Sequence, residues 1–293
     1  MCGIIGIASN KLVSMNIINS LKKLEYRGYD SAGLATLNNN EIREKKCSGR
    51  VEELEKILFK DPSDGNLGIG HVRWATHGIP NVVNAHPHSS EIVSVVHNGI
   101  IENSDELKKK LELKGLKFKS QTDTEVITLL ITEALKDNKP LDSVFKTLKL
   151  LKGSFALGII FKNYKNIIIG ARRGSPLAVG YANGENYLGS DSYALKSMTN
   201  KISYLDDGDL CILSKDKVEF YDVNKKKINK KIYILSDVEN TSDKGDYKNF
   251  MSKEIFEQPI TAKNCINEYI DKSREDINFY NIPFDAKKIN KII

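Results

Sequence analysis

Apolar runs in the first hundred residues fit the pattern of buried strands. Residues 3–8 are a short apolar run broken by glycine, which predicts a strand that starts directly after the second residue. Residues 31–37 form another run of this kind. A third run, 93–96, leads into Asn98-Gly99, a dipeptide that is typical of a turn.

Apolar side chains recur at helical spacing in four stretches, at 17–24, 104–113, 122–136 and 141–151. Thr122 and Glu125 occupy the positions of a capping box at the start of the third stretch. Later apolar runs predict strands at 154–161, 167–169, 177–179 and 210–213. Because strands, helices and strands follow one another without strict alternation, the pattern indicates a layered α+β fold rather than a doubly wound sheet.

The composition of the chain changes after about residue 222. Residues 236–248 are polar and predict a linker, and a helix is predicted over 252–272. The final residues, 288–293, form an apolar run that resembles the first strand of another domain. We therefore expect one domain over 2–222, followed by a linker and the start of a second domain over 223–293.

Composition and charge narrow the classes of function. The 293 residues are 40% hydrophobic and 28% charged, as in ordinary globular proteins. No apolar run is long enough for a membrane span and the N-terminus lacks a basic n-region, so we expect a cytoplasmic protein without membrane partners. The net charge of +6 comes from dispersed lysines, densest over 225–231, and no aromatic or nucleic-acid motif accompanies them. Nucleic acid is therefore not an expected partner. The four cysteines form no C-x-x-C pair, which argues against a zinc site or a disulfide framework.

Cys2 is the first candidate for chemistry. Removal of Met1 would place a thiol and a free α-amine on one residue. The amine has an ordinary pKa of about 7.7–8.0 against about 8.5 for the thiol, so it can accept the thiol proton near neutral pH. This is the logic of N-terminal threonine nucleophiles. A cysteine at position 2 is also a common chance residue, so this position alone decides little.

Several longer strings resemble the class II glutamine amidotransferases, which are N-terminal-nucleophile hydrolases. Within that family they are most similar to the glutamine–fructose-6-phosphate aminotransferases. The tail string 250–259 points to the same branch. The resemblance covers the whole chain but includes no sugar-phosphate isomerase half. The strings are Cys2-Gly3-Ile4-Ile5-Gly6-Ile7, Tyr26-Arg27-Gly28-Tyr29-Asp30-Ser31-Ala32-Gly33, Gly70-His71-Val72-Arg73-Trp74-Ala75-Thr76-His77-Gly78, Asn84-Ala85-His86-Pro87-His88, His97-Asn98-Gly99 and Thr122-Asp123-Thr124-Glu125.

The resemblance implies a four-layer αββα sandwich and a catalytic group of Cys2, Asn98 and Gly99. Cys2 is the implied nucleophile, and the Asn98 amide and Gly99 N–H are the implied oxyanion hole. Asn-Gly alone is more often a hairpin turn. Arg73 is the implied partner of the substrate α-carboxylate, which a guanidinium binds bidentately, although a surface ion pair would also suit it. Asp123 is implied to hold the α-ammonium, although a carboxylate at a helix start is favourable without a ligand.

Five further residues are implied to surround the substrate. Arg27 lies in a string near the nucleophile, whereas the other four belong to the segment that covers the bound glutamine, namely Trp74, Thr76, His77 and His86. His86 and His88 could instead be a metal pair, but the sequence offers no third ligand at suitable spacing. We therefore expect neither a metal nor a cofactor.

The resemblance implies a function in which Cys2 attacks the amide of L-glutamine and a glutamyl thioester is hydrolysed with release of ammonia. In an intact enzyme the ammonia would aminate fructose 6-phosphate, and such an enzyme would be compatible with a homodimer. Two alternatives stay open. The chain could be a free-standing glutaminase subunit that serves a separate isomerase, or an inactive module that only binds glutamine.

Overall fold

The computed structural model of the chain describes residues 2–164, 166–235, 245–248, 250–271 and 276–277. The chain divides into two compact units, and the first unit ends at Asp237. The predicted division after residue 222 thus precedes two short strands that pair with the sheets of the first unit. Helices of the first unit are α1 (Ser14–Leu24), α2 (Val51–Lys60), α3 (Ser104–Glu112), α4 (Thr124–Ala134), α5 (Pro140–Leu148) and α6 (Ser192–Lys196), with a 3-10 turn at Glu25–Arg27.

Two large sheets form the centre of the first unit. One sheet has eight strands in the order β15 (Tyr233–Ile234), β11 (Lys201–Tyr204), β9 (Ala178–Ala182), β10 (Glu185–Gly189), β1 (Gly3–Ala8), β4 (Leu67–Arg73), β2 (Ser31–Asn38) and β3 (Glu41–Ser48). The other has seven, in the order β14 (Lys227–Ile228), β13 (Val218–Tyr221), β12 (Leu210–Leu213), β8 (Ile168–Arg173), β7 (Gly153–Phe161), β6 (Val93–Ile101) and β5 (His88–Ser89). Every strand pair in both sheets is antiparallel.

Three apolar clusters show that the layers are helix, sheet, sheet and helix. One cluster joins α1, α2 and α6 to the outer face of the eight-stranded sheet, and a second joins α3, α4 and α5 to the outer face of the other sheet. The third lies between the sheets. Strand β1 shows the alternation that this requires, since Ile5 and Ile7 face the helices whereas Ile4 and Ala8 face the other sheet. The αββα prediction is confirmed.

Two local predictions are wrong. Asn98-Gly99 is not a turn, because β6 continues through it to Ile101 in register with β7. The expected capping box is also absent from α4, whose first residues have no side-chain cap. Glu125 instead accepts the backbone N–H groups of Lys119 and Ser120, at 2.9 and 2.6 Å, and so fixes the loop before the helix.

The second unit contains α7 (Phe250–Tyr269) and a short hairpin of β16 (Ile270–Asp271) and β17 (Asp276–Ile277). The helix predicted over 252–272 thus forms with slightly earlier bounds. The strand predicted over 288–293 lies outside the described residues, as does most of the predicted linker. In the part of the chain that the structure describes, no helix is both long and apolar enough to cross a membrane.

Candidate active site

The inner faces of the two sheets lead from the core to a polar site at the strand ends. On β4, Ile69 belongs to the cluster between the sheets, and His71 and Arg73 follow on the same face because side chains alternate. On β6, Val96 belongs to that cluster and Asn98 follows it. The alternation therefore carries three polar side chains into one region without breaking either sheet.

Cys2 lies at this end because it directly precedes the first strand, where Gly3 pairs with Val72 of β4. Its thiol accepts a hydrogen bond from the backbone N–H of Trp74, with an N–S distance of 3.2 Å. Burial raises the pKa of the Cys2 thiol, while the Trp74 N–H and the Arg73 charge act in the opposite direction. A partner that accepts the thiol proton is therefore needed to make this sulfur a nucleophile.

The Asn98 side chain is fixed at both ends. Its Nδ2 donates to the Cys2 carbonyl oxygen at 2.9 Å and to Ser190 Oγ at 3.0 Å, and its Oδ1 lies 3.0 Å from His71 Nε2. The amide donor thus reaches the same residue that carries the thiol. Gly99 follows with a φ of 134°, and a Cβ there would lie 2.1 Å from the Ser154 carbonyl oxygen. Only glycine allows β6 and β7 to pair at this point.

The Arg73 side chain is buried, and its guanidinium forms hydrogen bonds with backbone carbonyl oxygens. Its guanidinium donates to the carbonyl oxygens of His77, Gly78 and Ile79, the last two at 3.2 and 3.5 Å. Burial lowers the pKa of Arg73, and the charges of Cys2, Asp30 and Asp123 oppose that shift. Among the described ranges no carboxylate forms an ion pair with this guanidinium. A guanidinium in this state has the chemistry to bind a carboxylate.

Asp123 is buried at the start of α4, with its carboxylate turned towards β6. Its Oδ2 accepts the backbone N–H of Ile101 at 2.8 Å. The α4 N-terminus thus gains an acidic group, as the helix dipole favours. Because Asp123 also acts electrostatically on both Cys2 and Arg73, it belongs to the same site. The two interpretations of this residue are compatible.

Three of the four residues implied to cover the substrate lie in residues 74–83, an exposed stretch called the covering segment below, whereas the fourth, His86, lies outside it and is buried. Trp74 has 49% of its surface exposed, and Thr76 and His77 are exposed too. Trp74 makes an edge-on contact with Tyr29 at 6.2 Å between ring centres. A Cβ on Gly28 would lie 2.7 Å from the Arg73 carbonyl carbon and the Trp74 nitrogen, so this glycine lets the two loops meet beside Cys2.

Arg27 does not join the Cys2 group directly. Its guanidinium pairs with Asp191 at 2.8 Å, and its Nε donates to Tyr26 Oη at 3.0 Å. Burial works against the Arg27 charge, but the hydrogen bond to Asp191 keeps the pKa of this guanidinium raised. Asp191 directly follows Ser190, which contacts Asn98. Arg27 therefore contacts the site indirectly, through Asp191 and the neighbouring Ser190.

Four buried histidines lie near Asn98, and the rings of three of them pack together. The ring centres of His71 and His86 are 4.1 Å apart and those of His86 and His88 are 4.9 Å apart, whereas the His97 carbonyl oxygen lies 3.0 Å from His71 Nε2. Burial lowers the pKa of each, and that of His71 falls to about 3. Among the described residues no His, Cys, Asp and Glu cluster is arranged to hold a metal. His86 thus faces other histidines rather than solvent.

Sequence reasoning assigned no definite role to three residues that hold the site together, although His71 and Asp30 stand in the strings that resemble the family. His71 stands two residues before Arg73, so the alternation of β4 could have revealed it. Ser190 accepts the Ile4 N–H at 2.6 Å as well as Asn98, and no sequence signal marks it. Asp30 accepts the Ala75 N–H at 2.7 Å and so anchors the covering segment.

Comparisons with known proteins indicate the class of protein to which this chain is similar. Residues 82–197 match the family model described as a glutamine amidotransferase domain. Together with the αββα fold, this match shows that the chain contains a glutamine amidotransferase domain.

Curated relatives with high sequence identity to the chain are named glutamine–fructose-6-phosphate aminotransferase [isomerizing]. The chain is 46% identical over 293 residues to the one from Mesorhizobium japonicum and 44% identical to the one from Zymomonas mobilis. Both matches cover 100% of this chain and 48% of the relative, so the chain spans about half the length of these proteins. A glutamine phosphoribosylpyrophosphate amidotransferase from B. subtilis has the same fold, with a TM-score of 0.67, 24% identity and coverage of 77% of this chain and 50% of that one.

Proposed function

We propose that the chain hydrolyses the side-chain amide of L-glutamine, with Cys2 as the nucleophile. The observation that carries this proposal is that two donors meet at one residue: the Trp74 N–H reaches the Cys2 sulfur at 3.2 Å, and the Asn98 amide reaches the Cys2 carbonyl at 2.9 Å. An amide donor beside the nucleophile suits the negative oxygen that forms when a thiolate attacks an amide carbonyl.

Removal of Met1 would supply the base. The Cys2 α-amine would then take the thiol proton while the sulfur attacks the amide carbon of glutamine. The same proton would pass to the departing nitrogen as the carbon–nitrogen bond breaks, which releases ammonia. Water would next attack the glutamyl thioester and release glutamate, so that the thiol is restored.

Arg73 and Asp123 would orient the substrate. A buried guanidinium without a carboxylate partner in the described ranges suits the α-carboxylate of an amino acid, and a buried carboxylate suits its ammonium. Glutamine carries both charges together with a side-chain amide, so one ligand would satisfy all three groups. The covering segment, with Trp74, Thr76 and His77, would lie over the bound substrate.

The longer relatives suggest the fate of the ammonia. Their name pairs glutamine with fructose 6-phosphate, and we propose that ammonia released at Cys2 serves the same amination when this chain is joined to, or works beside, an isomerase unit. A homodimer and a cytoplasmic location are part of this proposal. The 293-residue chain alone should form glutamate and ammonia from glutamine but no glucosamine 6-phosphate.

A matched pair of cysteine variants tests the proposal. Glutamate release is measured for the wild type, Cys2→Ala and Cys265→Ala, with the intact mass of each preparation. Cys265 lies exposed on α7, so its loss should leave the rate unchanged. Cys2→Ala should abolish hydrolysis, and the active wild type should lack Met1. Activity in Cys2→Ala, or in a preparation that wholly retains Met1, would contradict the proposal.

A further inference from the structure

His71 is a buried residue that contacts the Asn98 side-chain oxygen, on the side opposite Cys2, and it takes no part in the chemistry proposed above. It is fully buried on β4, and its Nε2 lies 3.0 Å from Asn98 Oδ1, 3.0 Å from the His97 carbonyl oxygen and 3.2 Å from His86 Nδ1. Within the described part of the chain, no group forms a hydrogen bond to its Nδ1. All the recorded hydrogen-bond contacts of the His71 ring are therefore made by Nε2.

The direction of each hydrogen bond follows from the Cys2 carbonyl. A carbonyl oxygen only accepts, so the Asn98 atom that faces it at 2.9 Å must be the amide nitrogen. Asn98 Oδ1 then faces His71 and also only accepts. His71 must therefore carry its proton on Nε2, because the His97 carbonyl oxygen on the same nitrogen also only accepts. His86 Nδ1, the third neighbour of this nitrogen, is then unprotonated and faces the N–H as an acceptor. The bare Nδ1 of His71 agrees with this tautomer.

We propose that His71 is a positioning residue for the amidotransferase reaction, and that its Nε2–H holds the Asn98 amide so that Nδ2 points at the nucleophilic residue. The proposal rests on the proposed function, since it gives Asn98 the oxyanion role. Without this donor the amide could rotate by half a turn and present an oxygen, which would repel the developing oxyanion. Burial keeps the pKa of His71 at about 3, so the ring stays neutral and carries one proton at neutral pH.

Two substitutions separate positioning from mere packing. His71→Gln keeps an N–H donor in nearly the same place, whereas His71→Met fills similar space without one. His71→Met should lower kcat about 10- to 100-fold, as a misplaced catalytic group does, while KM changes little. His71→Gln should recover most of that loss. Equal losses in both variants, or an effect confined to KM, would overturn the proposal.

A double-mutant cycle and an alkylation control complete the kinetic test. If His71 acts through Asn98, His71→Met should cost no further activity once Asn98→Ala is present. Alkylation of Cys2 by iodoacetamide, followed on the peptide that carries Cys2, needs no oxyanion hole and should proceed at the wild-type rate in His71→Met. A multiplied loss in the double variant, or a blocked alkylation, would assign His71 to something other than Asn98.

The tautomer of His71 can be measured in the wild-type chain, whether or not the variants fold. Long-range proton–nitrogen spectra of histidine-labelled protein distinguish a proton on Nε2 from one on Nδ1. The proposal requires Nε2–H at His71, and Nδ1–H would overturn it. If the chain proves unable to hydrolyse glutamine, the proposed function fails in the activity assay. The spectra would still decide whether His71 donates to Asn98.

Discussion

Strand-borne residues and the covering segment make up the two sides of this site, and they differ in how they are held. Asn98 has 6% of its surface exposed and is fixed by three hydrogen-bond partners within a nine-residue strand. Trp74 and its neighbours over 74–83 are largely exposed and are tied mainly by Arg73 and Asp30. The proposed oxyanion donor thus lies on a strand, and the residues proposed to cover the substrate lie on a loop.

This difference matches what the proposed reaction requires of each side of the site. An oxyanion donor must be in place before charge develops, so a rigid strand suits it. A substrate must enter and leave, so an exposed segment suits the residues that cover it. Variants on the strands should therefore change turnover, and variants at the edge of the covering segment should change substrate affinity.

The largest expected effect tests the strand side. Asn98→Ala should lower kcat for glutamine hydrolysis about 10²- to 10³-fold, because one preorganised oxyanion donor is lost. Its KM should stay near that of the wild type, as steady-state kinetics would show. Thr76→Ala, in the covering segment, is the matched control and should leave kcat nearly intact. A change in KM alone for Asn98→Ala would place this amide in ground-state binding.

A smaller effect tests the residue that connects the two sides. Arg73→Lys keeps the charge but loses the fork that can bind a carboxylate and the covering segment together. KM should rise roughly 10- to 100-fold, the equivalent of about 1.5–3 kcal/mol for lost charge-assisted hydrogen bonds, while kcat changes less. Calorimetric titration of Cys2→Ala and Cys2→Ala/Arg73→Lys with glutamine would measure the affinity directly. Equal affinities would remove Arg73 from the site.

The smallest effect concerns stability on the strand side at low pH. His71 is neutral when folded, with a pKa of about 3, but titrates near 6.5 when unfolded. The unfolded chain therefore binds more protons as the pH falls from about 6.5 towards 3, and the folded state loses stability over that range. Between pH 7.5 and 5.5 His71 should account for about 1 kcal/mol of the free energy of unfolding.

Denaturant titrations at the two pH values check this expectation. His71→Gln should show a weaker dependence of the unfolding free energy on pH than the wild type. Thr76→Ala, which removes no titratable group from the exposed covering segment, should keep the wild-type dependence. An unchanged dependence in His71→Gln would mean that this histidine is not held neutral by the fold.

Sequence patterns predicted the layers well because each layer has its own periodicity. The strand at 210–213 and the α+β order follow from apolar spacing alone. The Asn98-Gly99 pair could not be placed that way, since its local signal is that of a turn. It stays in β6 because β7 pairs with it along its whole length, a contact between distant parts of the chain.

The site residues likewise fall into those that the sequence could identify and those that it could not. Cys2, Asn98, Arg73 and Asp123 could be named from the strings that resemble the family. Ser190 could not, because it reaches Asn98 across 92 residues from the end of another strand. Such a partner becomes visible only when the register of the sheet is known.

The central claim is that Cys2, freed of Met1, is the nucleophile that attacks glutamine. A glutamine analogue with a diazoketone in place of the amide would be incubated with the chain, and the labelled peptide identified by mass. The account predicts one adduct, on an N-terminal Cys2, which excess glutamine prevents. An adduct on Cys47, Cys211 or Cys265, or labelling of chains that retain Met1, would contradict it.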